Sequence, residues 1–529
     1  MLDFKGKVFI RDNVDKIYNV NKIDNVNEIG YKNAVIQYAS SSVTDDRTVM
    51  NPALIIYAEN DQDVFKAIKY AQKNNCAIAI RTGGHQYCGM SSTSGKNIQL
   101  DLSKTYKSFD VSKLDTDSLI TCGISFSLDE FSNRLVENNI FVPHGECPSV
   151  HLGGHIQTGG YGVFCPQFGI LGDHVVSFDI ITADCIKRTV TRETNPDLFF
   201  AVLGGSPGNF GVMTHITLKV YKDNLFPESR GLMAIYPYRE SHLKNLLSLL
   251  GKWKEDESIP KNISFKITTR DPCTDTFFIQ PFKAIVVIAM YIPGLDNKKD
   301  LYNPKYFNDI LKTSPSNISI NNRNFDLFRI PLNYLPNSSA FKRLYINENV
   351  NTPLSILGNK SVFKFVTYRE YNLPFIKRSY NNKVLRDNEI ELFAKMNTKI
   401  GRFLPFKKVD CVSILEVAFI KENSQLLENK TNGTGYNFRE YSHLVFDIFY
   451  YNKDTAIKYI KEIDKTAKTD KRVFWGSYIK EDECLTQTLF SEKYYDSKEK
   501  YDRILKIKNK YDSNKIFSPN NFCIGGMKE

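Results

Sequence analysis

The sequence predicts an α+β protein with a ligand-binding part and a second part built on an antiparallel sheet. Three observations carry this. Strand and helix signals alternate from about residue 50 to 220. From about 225 to 480 glycine thins out and longer strand patterns appear, with helical stretches between them. Beyond about 485 the chain returns to helix. At 529 residues the chain exceeds one ordinary core, and the expected parts are 1–222 (core about 48–222), 223–484 and 485–529.

The elements follow in order. Leu54-Ile55-Ile56-Tyr57 is a short apolar strand. Asn60 caps a helix whose Val64, Phe65, Ile68 and Ala71 share one face. Ala77-Ile78-Ala79-Ile80 is a second strand, and it delivers the chain into Arg81-Thr82-Gly83-Gly84-His85. Ile98, Leu100 and Leu102 alternate as a third. Ser127-Leu128-Asp129-Glu130 is a capping box opening a helix. Asn195-Pro196-Asp197 opens another, with Pro in its first turn. Val212, Thr214, Ile216, Leu218 and Val220 alternate as a long strand, and 283–292 and 444–451 read as strands of the second part. Tyr501, Ile504, Leu505 and Ile507 mark a helix in the tail.

Three glycine-rich segments carry the chemistry: Gly83-Gly84, then Gly153 to Gly162, then Gly204-Gly205-Ser206-Pro207-Gly208-Asn209-Phe210-Gly211. Consecutive glycines permit positive φ and close backbone approach, which makes anion-binding nests. A diphosphate with a ring system at each end needs several of them. The first segment adds His85, and Gly145-Glu146-Cys147-Pro148-Ser149-Val150 adds Cys147, each a nucleophile. No strand runs into Gly-x-Gly-x-x-Gly and no Walker-type Gly-Lys-Ser/Thr occurs, so neither a Rossmann nor a P-loop reading applies. His144, Cys147, His151 and His155 read alternatively as zinc ligands. Structural zinc sites pair ligands at tight turns and separate the pairs, whereas these share one run.

Composition excludes some partners. The net charge of +11 is spread, with acidic residues interleaved, and no basic stripe with aromatics marks a nucleic-acid reader. The longest apolar run, 284–292, is half a membrane span. No apolar leader follows Met1, and the ten cysteines have no disulfide-framework spacing, so an intracellular or particle-associated site is expected.

Taken in order, these motifs resemble the FAD-linked oxidases of the vanillyl-alcohol-oxidase (PCMH) type, in the berberine-bridge-enzyme-like branch that includes the glucooligosaccharide oxidases. The resemblance runs through Arg81 to His85, the Cys147 to Val150 stretch, Asn195-Pro196-Asp197-Leu198-Phe199, Gly208 to Val212 and the tail from Lys508 to Phe517. It implies a PCMH-type two-part FAD-binding domain and a substrate domain whose antiparallel sheet is flanked by helices. It implies that FAD is held bicovalently, by His85 at the flavin 8α carbon and Cys147 at C6. Further FAD contacts are implied at Arg81, Thr82, Gly83, Gly84, Gln86, Tyr87, Gly153, Gly154, His155, Gly159, Gly160, Tyr161, Gly211, Val212 and Asn520. Val150 matches the position on the oxygen side of the ring, which makes O2 the expected acceptor.

Oxidising an alcohol needs a base for the hydroxyl proton. Asn437-Phe438-Arg439 resembles the family's aromatic-His-Arg motif, and eight residues past Arg439 lies Asp447, a strand position usually Glu or Gln. Gly476-Ser477-Tyr478-Ile479-Lys480 resembles its Tyr-x-Asn segment, so Tyr478 is the second acid/base candidate, with Lys480 favouring tyrosinate. The chain departs from the family at His144 and His151, at Phe200 and Leu203 and at Ser206-Pro207. The resemblance implies a small-molecule substrate, a sugar or related alcohol, oxidised with release of H2O2. A dehydrogenase with another acceptor, or a protein that keeps FAD without turnover, remain the alternatives.

Overall fold

The structure is a computed structural model that describes residues 4–11, 28–35, 51–86, 89–113, 118–145, 147, 149–204, 207–222, 225, 230–271, 283–292, 303–313, 318–320, 323–325, 329–332, 375–382, 386–401, 409–418, 424–439, 442–466 and 486–528. The first sheet holds β1 (Val8–Ile10), β2 (Leu54–Tyr57), β3 (Ile78–Arg81) and β4 (Ile98–Asp101) in the order β1-β2-β4-β3. β2 and β3 flank β4 in parallel, with Leu54 and Ile78 both opposite Ile98. The third strand differs from its alternating expectation: Gln99 and Asp101 are buried along with Ile98 and Leu100. A strand between two parallel neighbours is covered on both faces, and its polar side chains survive there only with partners.

Helix Asp61–Lys73 begins as its cap requires, Asn60 Oδ1 accepting from Asp63 N at 3.1 Å. Val64, Ala67, Ile68 and Ala71 form its buried stripe. The capping box opening helix Leu128–Glu137 is complete, with Ser127 Oγ and the Glu130 carboxylate each accepting from the other's N–H. Helix Pro196–Val202 starts at the predicted proline, but Asn195 sits at φ +58° and caps nothing with its side chain.

The second sheet is built from β5 (Phe109–Lys113), β6 (Ser118–Gly123), β7 (Ile140–Phe141), β8 (Val175–Ile181), β9 (Lys187–Thr191) and β10 (Val212–Lys222). Its order is β5-β6-β10-β8-β9, antiparallel throughout, with β7 on the end of β10. A third, seven-stranded sheet takes β11 (Arg230–Pro237), β12 (Ile263–Arg270), β13 (Ala284–Tyr291), β16 (Arg329–Leu332), β17 (Phe375–Asn382), β18 (Cys411–Ala418) and β19 (Ser442–Tyr450) in the order β16-β11-β13-β12-β18-β19-β17. The hairpin β14 (Ile318–Ile320) and β15 (Arg323–Phe325) stands apart.

Two large apolar cores form among the described residues. One joins the first two sheets to Leu426, Tyr436 and the tail residues Phe490 to Ile524. The other lies between one face of the seven-stranded sheet and helices Glu240–Glu255, Asp387–Lys399 and Lys453–Thr466. The segment 424–439 therefore packs with the first core, although it precedes β19 of the second part. Among the described residues no helix is long and apolar enough to cross a membrane.

Candidate active site

β3 ends at Arg81, whose buried guanidinium bonds the Asp101 carboxylate, Tyr57 Oη (3.1 Å) and Ala34 O (2.7 Å). That fixes where the chain leaves the sheet, and Gly84 then turns at φ +65° to present His85. Gly83 abuts the second segment so closely that a Cβ there would lie 2.7 Å from His151 Cδ2. Gln86 O accepts from Gly89 N at 3.0 Å; Tyr87 lies outside the described residues.

The second segment is braced by histidines. His155 Nε2 accepts from Gly145 N at 2.9 Å, so its proton sits on Nδ1. His144 meets Gly145 O through Nδ1 (2.8 Å) and Ser132 Oγ through Nε2 (3.2 Å). Burial pushes His144 and His151 down to about 4 and His155 to about 3, so all three are neutral at pH 7. His155 and His144 thus hold the N–H and the C=O of Gly145, respectively. Among the described residues no three His, Cys, Asp or Glu gather as metal ligands.

Two residues beyond Gly145, Cys147 turns toward the first segment. Its Sγ lies 3.9 Å from His85 Nε2 and 3.7 Å from Ser149 Oγ, and Ser149 Oγ is 2.9 Å from the same His85 nitrogen. Cys147 is half-buried, whereas Cys76, Cys122, Cys165, Cys411 and Cys523 are buried. Val150 is half-buried beside them, with its N–H donating to Cys147 O at 3.2 Å.

The glycine nests adjoin this cluster. Gly153, in helix Leu152–Gln157, leaves only 3.0 Å between a Cβ and Thr82 Cγ2, while Gly154 has open space at that position. Gln157 reaches back to Gly153 O with Nε2 (2.8 Å) and accepts from Gly208 N with Oε1 (3.1 Å), which joins the second and third nests. Gly159 and Gly160 follow at φ +112° and +77°, and Tyr161 Oη donates to Asn437 O at 3.2 Å. Gly211 adopts φ +147°, with room for no side chain beside Ile181 O, and buried Val212 opens β10 opposite Ile181.

The tail closes the arrangement. Lys508 Nζ donates to Asn209 O and to the Asp512 carboxylate, each at 2.5 Å, and Ile524 N donates to Asn209 Oδ1 at 2.9 Å. Ile78 N donates to Ile516 O, and Asn520 Nδ2 holds Met90 O and Ser92 O at 3.2 Å each. Two nucleophiles at one place, beside glycine nests with open space at Gly154, fit a large dinucleotide that carries a ring system to His85 and Cys147.

Asp447 stands on β19, opposite Ile414 and Lys377. Its neighbours Phe446 and Ile448 face the helix-side core, so Asp447 faces the other way. That opposite face also carries Ser264, Thr268 and the Lys266–Glu416 pair (3.0 Å). Polar side chains buried on one face of a sheet, against an apolar other face, are what a wall of a polar ligand site looks like. Tyr478 and Lys480 lie outside the described residues.

Sequence reasoning missed Ser149, Gln157 and Asp173. The Asp173 carboxylate takes both terminal nitrogens of Arg439 (2.5 and 3.0 Å), Asn432 Nδ2 (2.8 Å), Asn429 Nδ2 (3.0 Å) and Ile170 N (3.0 Å). Arg439, read as part of a motif near the reaction, is thereby a clasp between 424–439 and the first core. Phe438, at φ +57°, anchors the same segment through its N–H on Asp496 Oδ1 (2.7 Å).

Residues 52–188 match the family model "FAD binding domain". The chain is 34% identical over 176 residues to the FAD-linked oxidoreductase ZEB1 of Gibberella zeae, which covers 31% of this chain and 30% of that protein. It is 30% identical over 220 residues to berberine bridge enzyme-like 12 of Arabidopsis thaliana, covering 41% and 40%. The chain thus spans less than half the length of the curated relatives it matches. Across whole chains it superposes on Physcomitrella patens BBE-like 1 with a TM-score of 0.70 at 17% identity, covering 98% of this chain and 97% of that one. Against the glucooligosaccharide oxidase of Acremonium strictum the TM-score is 0.66 at 17% identity, covering 90% and 93%. The chain thus carries an FAD-binding domain over residues 52–188, is similar over part of its length to FAD-linked and berberine-bridge-enzyme-like proteins, and shares its overall fold with these solved structures.

Proposed function

We propose that this protein is an FAD-linked oxidoreductase with a doubly attached cofactor, oxidising a hydroxyl group of a sugar or related alcohol and releasing hydrogen peroxide. The observation that carries the reading is the meeting of His85 Nε2 and Cys147 Sγ at 3.9 Å. The flavin 8-methyl group and C6 lie along one edge of the benzenoid ring, so two arms for one flavin have to end near each other. The Acremonium strictum oxidase, which shares the fold, has a 6-S-cysteinyl, 8α-N1-histidyl FAD. When bound, FAD supplies the two-electron acceptor for the substrate's C–H hydride.

The chain's own residues do the rest. His85 and Cys147 hold the ring system. The backbone at Gly83-Gly84 and Gly154 receives the diphosphate, with Gln157 tying the neighbouring Gly153 and Gly208 backbones together. Asp447 takes the hydroxyl proton onto a carboxylate oxygen, on a sheet face whose Lys266, Glu416, Ser264 and Thr268 orient further hydroxyls. Tyr478 is the second candidate for that proton. Val150, a small aliphatic beside Cys147, leaves the approach to dioxygen open.

Purified protein is expected to be yellow and to release peroxide with members of a sugar and alcohol panel in air. Substrate-dependent bleaching that air restores only slowly, while an artificial acceptor restores it fast, selects a dehydrogenase instead. Yellow protein that no member of the panel bleaches removes the catalytic reading.

A further inference from the structure

We infer that Ser149 is a positioning residue that sets which nitrogen of His85 takes the flavin by holding the other nitrogen, the one that gives up its proton on attachment. The inference rests on the reading that His85 is a flavin arm. It starts from the placement of Ser149 Oγ, 2.9 Å from His85 Nε2 and 3.7 Å from Cys147 Sγ. No residue type in the motif required this: the hydroxyl lies beside both nucleophiles because Cys147 and Ser149 are two apart on a tight turn, closed by Val150 N on Cys147 O.

A neutral imidazole has one lone-pair nitrogen and one N–H. If Nε2–H donates to Ser149 Oγ, the lone pair is on Nδ1, and Nδ1 becomes the nucleophile. Attachment forms one N–C bond to the 8α carbon and breaks one methyl C–H bond. The imidazole gives up its Nε2 proton. The two electrons and both protons are left with the flavin, and dioxygen, the acceptor in the reading above, removes them as hydrogen peroxide. Ser149 Oγ therefore stands at the one atom that must lose a proton when the other nitrogen alkylates. It also fixes the ring's rotation, which matters because a displacement of about 1 Å can cost roughly 10²-fold in rate.

The test uses the full chain, prepared without flavin and incubated with FAD in air, in a Cys147→Ala background so that only the His85 arm is read. Acid-stable flavin is followed with time, and the flavin-bearing peptide is analysed by NMR for the substituted nitrogen. With Ser149 intact, attachment at Nδ1 is expected. Adding Ser149→Ala should slow it roughly tenfold or more, or spread it over both nitrogens, and Ser149→Thr should restore both rate and position. Unchanged rate and position in Ser149→Ala would overturn the inference alone. No acid-stable flavin with Ser149 intact would instead overturn the reading of His85 as an arm, and the inference with it.

Discussion

Asp173→Asn tests how the segment 424–439 is held against the FAD-binding part. Both side chains of the Asp173–Arg439 pair are 2% exposed, so solvent screens little of the interaction. The carboxylate accepts five hydrogen bonds, and four of the donors are NH2 groups or guanidinium nitrogens. An Asn amide keeps the shape but turns one oxygen into an NH2 group aimed at other donors, and it leaves Arg439 buried without its counter-charge. Removing one partner of a buried pair costs about 3–5 kcal/mol. Because the described residues form two large, separate cores, a single unfolding free energy is the wrong readout. The local reporter is the Gly435 amide, which donates to Leu203 O at 2.7 Å. If it exchanges by local opening, the same energy appears as roughly 10²- to 10⁴-fold faster hydrogen exchange, with β13 amides unchanged. Arg439→Met added to Asp173→Asn should recover part of the loss, since the buried charge is then gone. Acceleration below about tenfold, or equal acceleration in β13, refutes the clasp.

Three further outcomes follow from other parts of the site. Gly154→Ala should fold with wild-type thermal stability yet bind FAD more weakly, because a Cβ there meets nothing within 4 Å in the chain itself; Gly162→Ala should lower the unfolding midpoint, because its Cβ would fall 2.0 Å from His144 O. Acid should destabilise the protein: free histidine titrates near 6.5 and folded His155 near 3, so between these values the unfolded chain binds the extra proton, and this stability, full above about pH 6.5, is lost as pH falls. Proton uptake on unfolding at pH 5 should drop by about one in His155→Gln, and an unchanged uptake contradicts a buried neutral His155. Lys508→Met strands the Asp512 carboxylate and frees Asn209 O, so it should cost about 3–5 kcal/mol in exchange protection of the tail amides Ile516 and Phe517, which bond that carboxylate.

The legible parts of the sequence were those whose physics is local. The Asn60 cap and the Ser127–Glu130 box work within four residues, and each formed as its pattern required. The His85 and Cys147 motifs were legible as nucleophiles beside glycines, but their approach to 3.9 Å spans 62 positions and is a property of the fold. Arg439 and Asp173 are 266 positions apart, and neither periodicity nor composition pairs such residues. The same holds for Gln157, whose two bonds bridge nests 51 positions apart. Asp101 and Gln99 misled the reading of β4, because a polar residue on an alternating pattern is assigned to solvent unless its buried partner, here Arg81 for Asp101, is known. His144 and His155 resembled ligands in sequence and are backbone braces in the fold.

The central claim, that His85 and Cys147 are two arms of one flavin, is tested most directly by denaturing the purified protein in acid, digesting it and weighing its peptides. The account predicts yellow precipitate and one flavin that links the peptide containing His85 to the peptide containing Cys147. Colourless precipitate with FAD free in the supernatant, and both peptides at their unmodified mass, would contradict it.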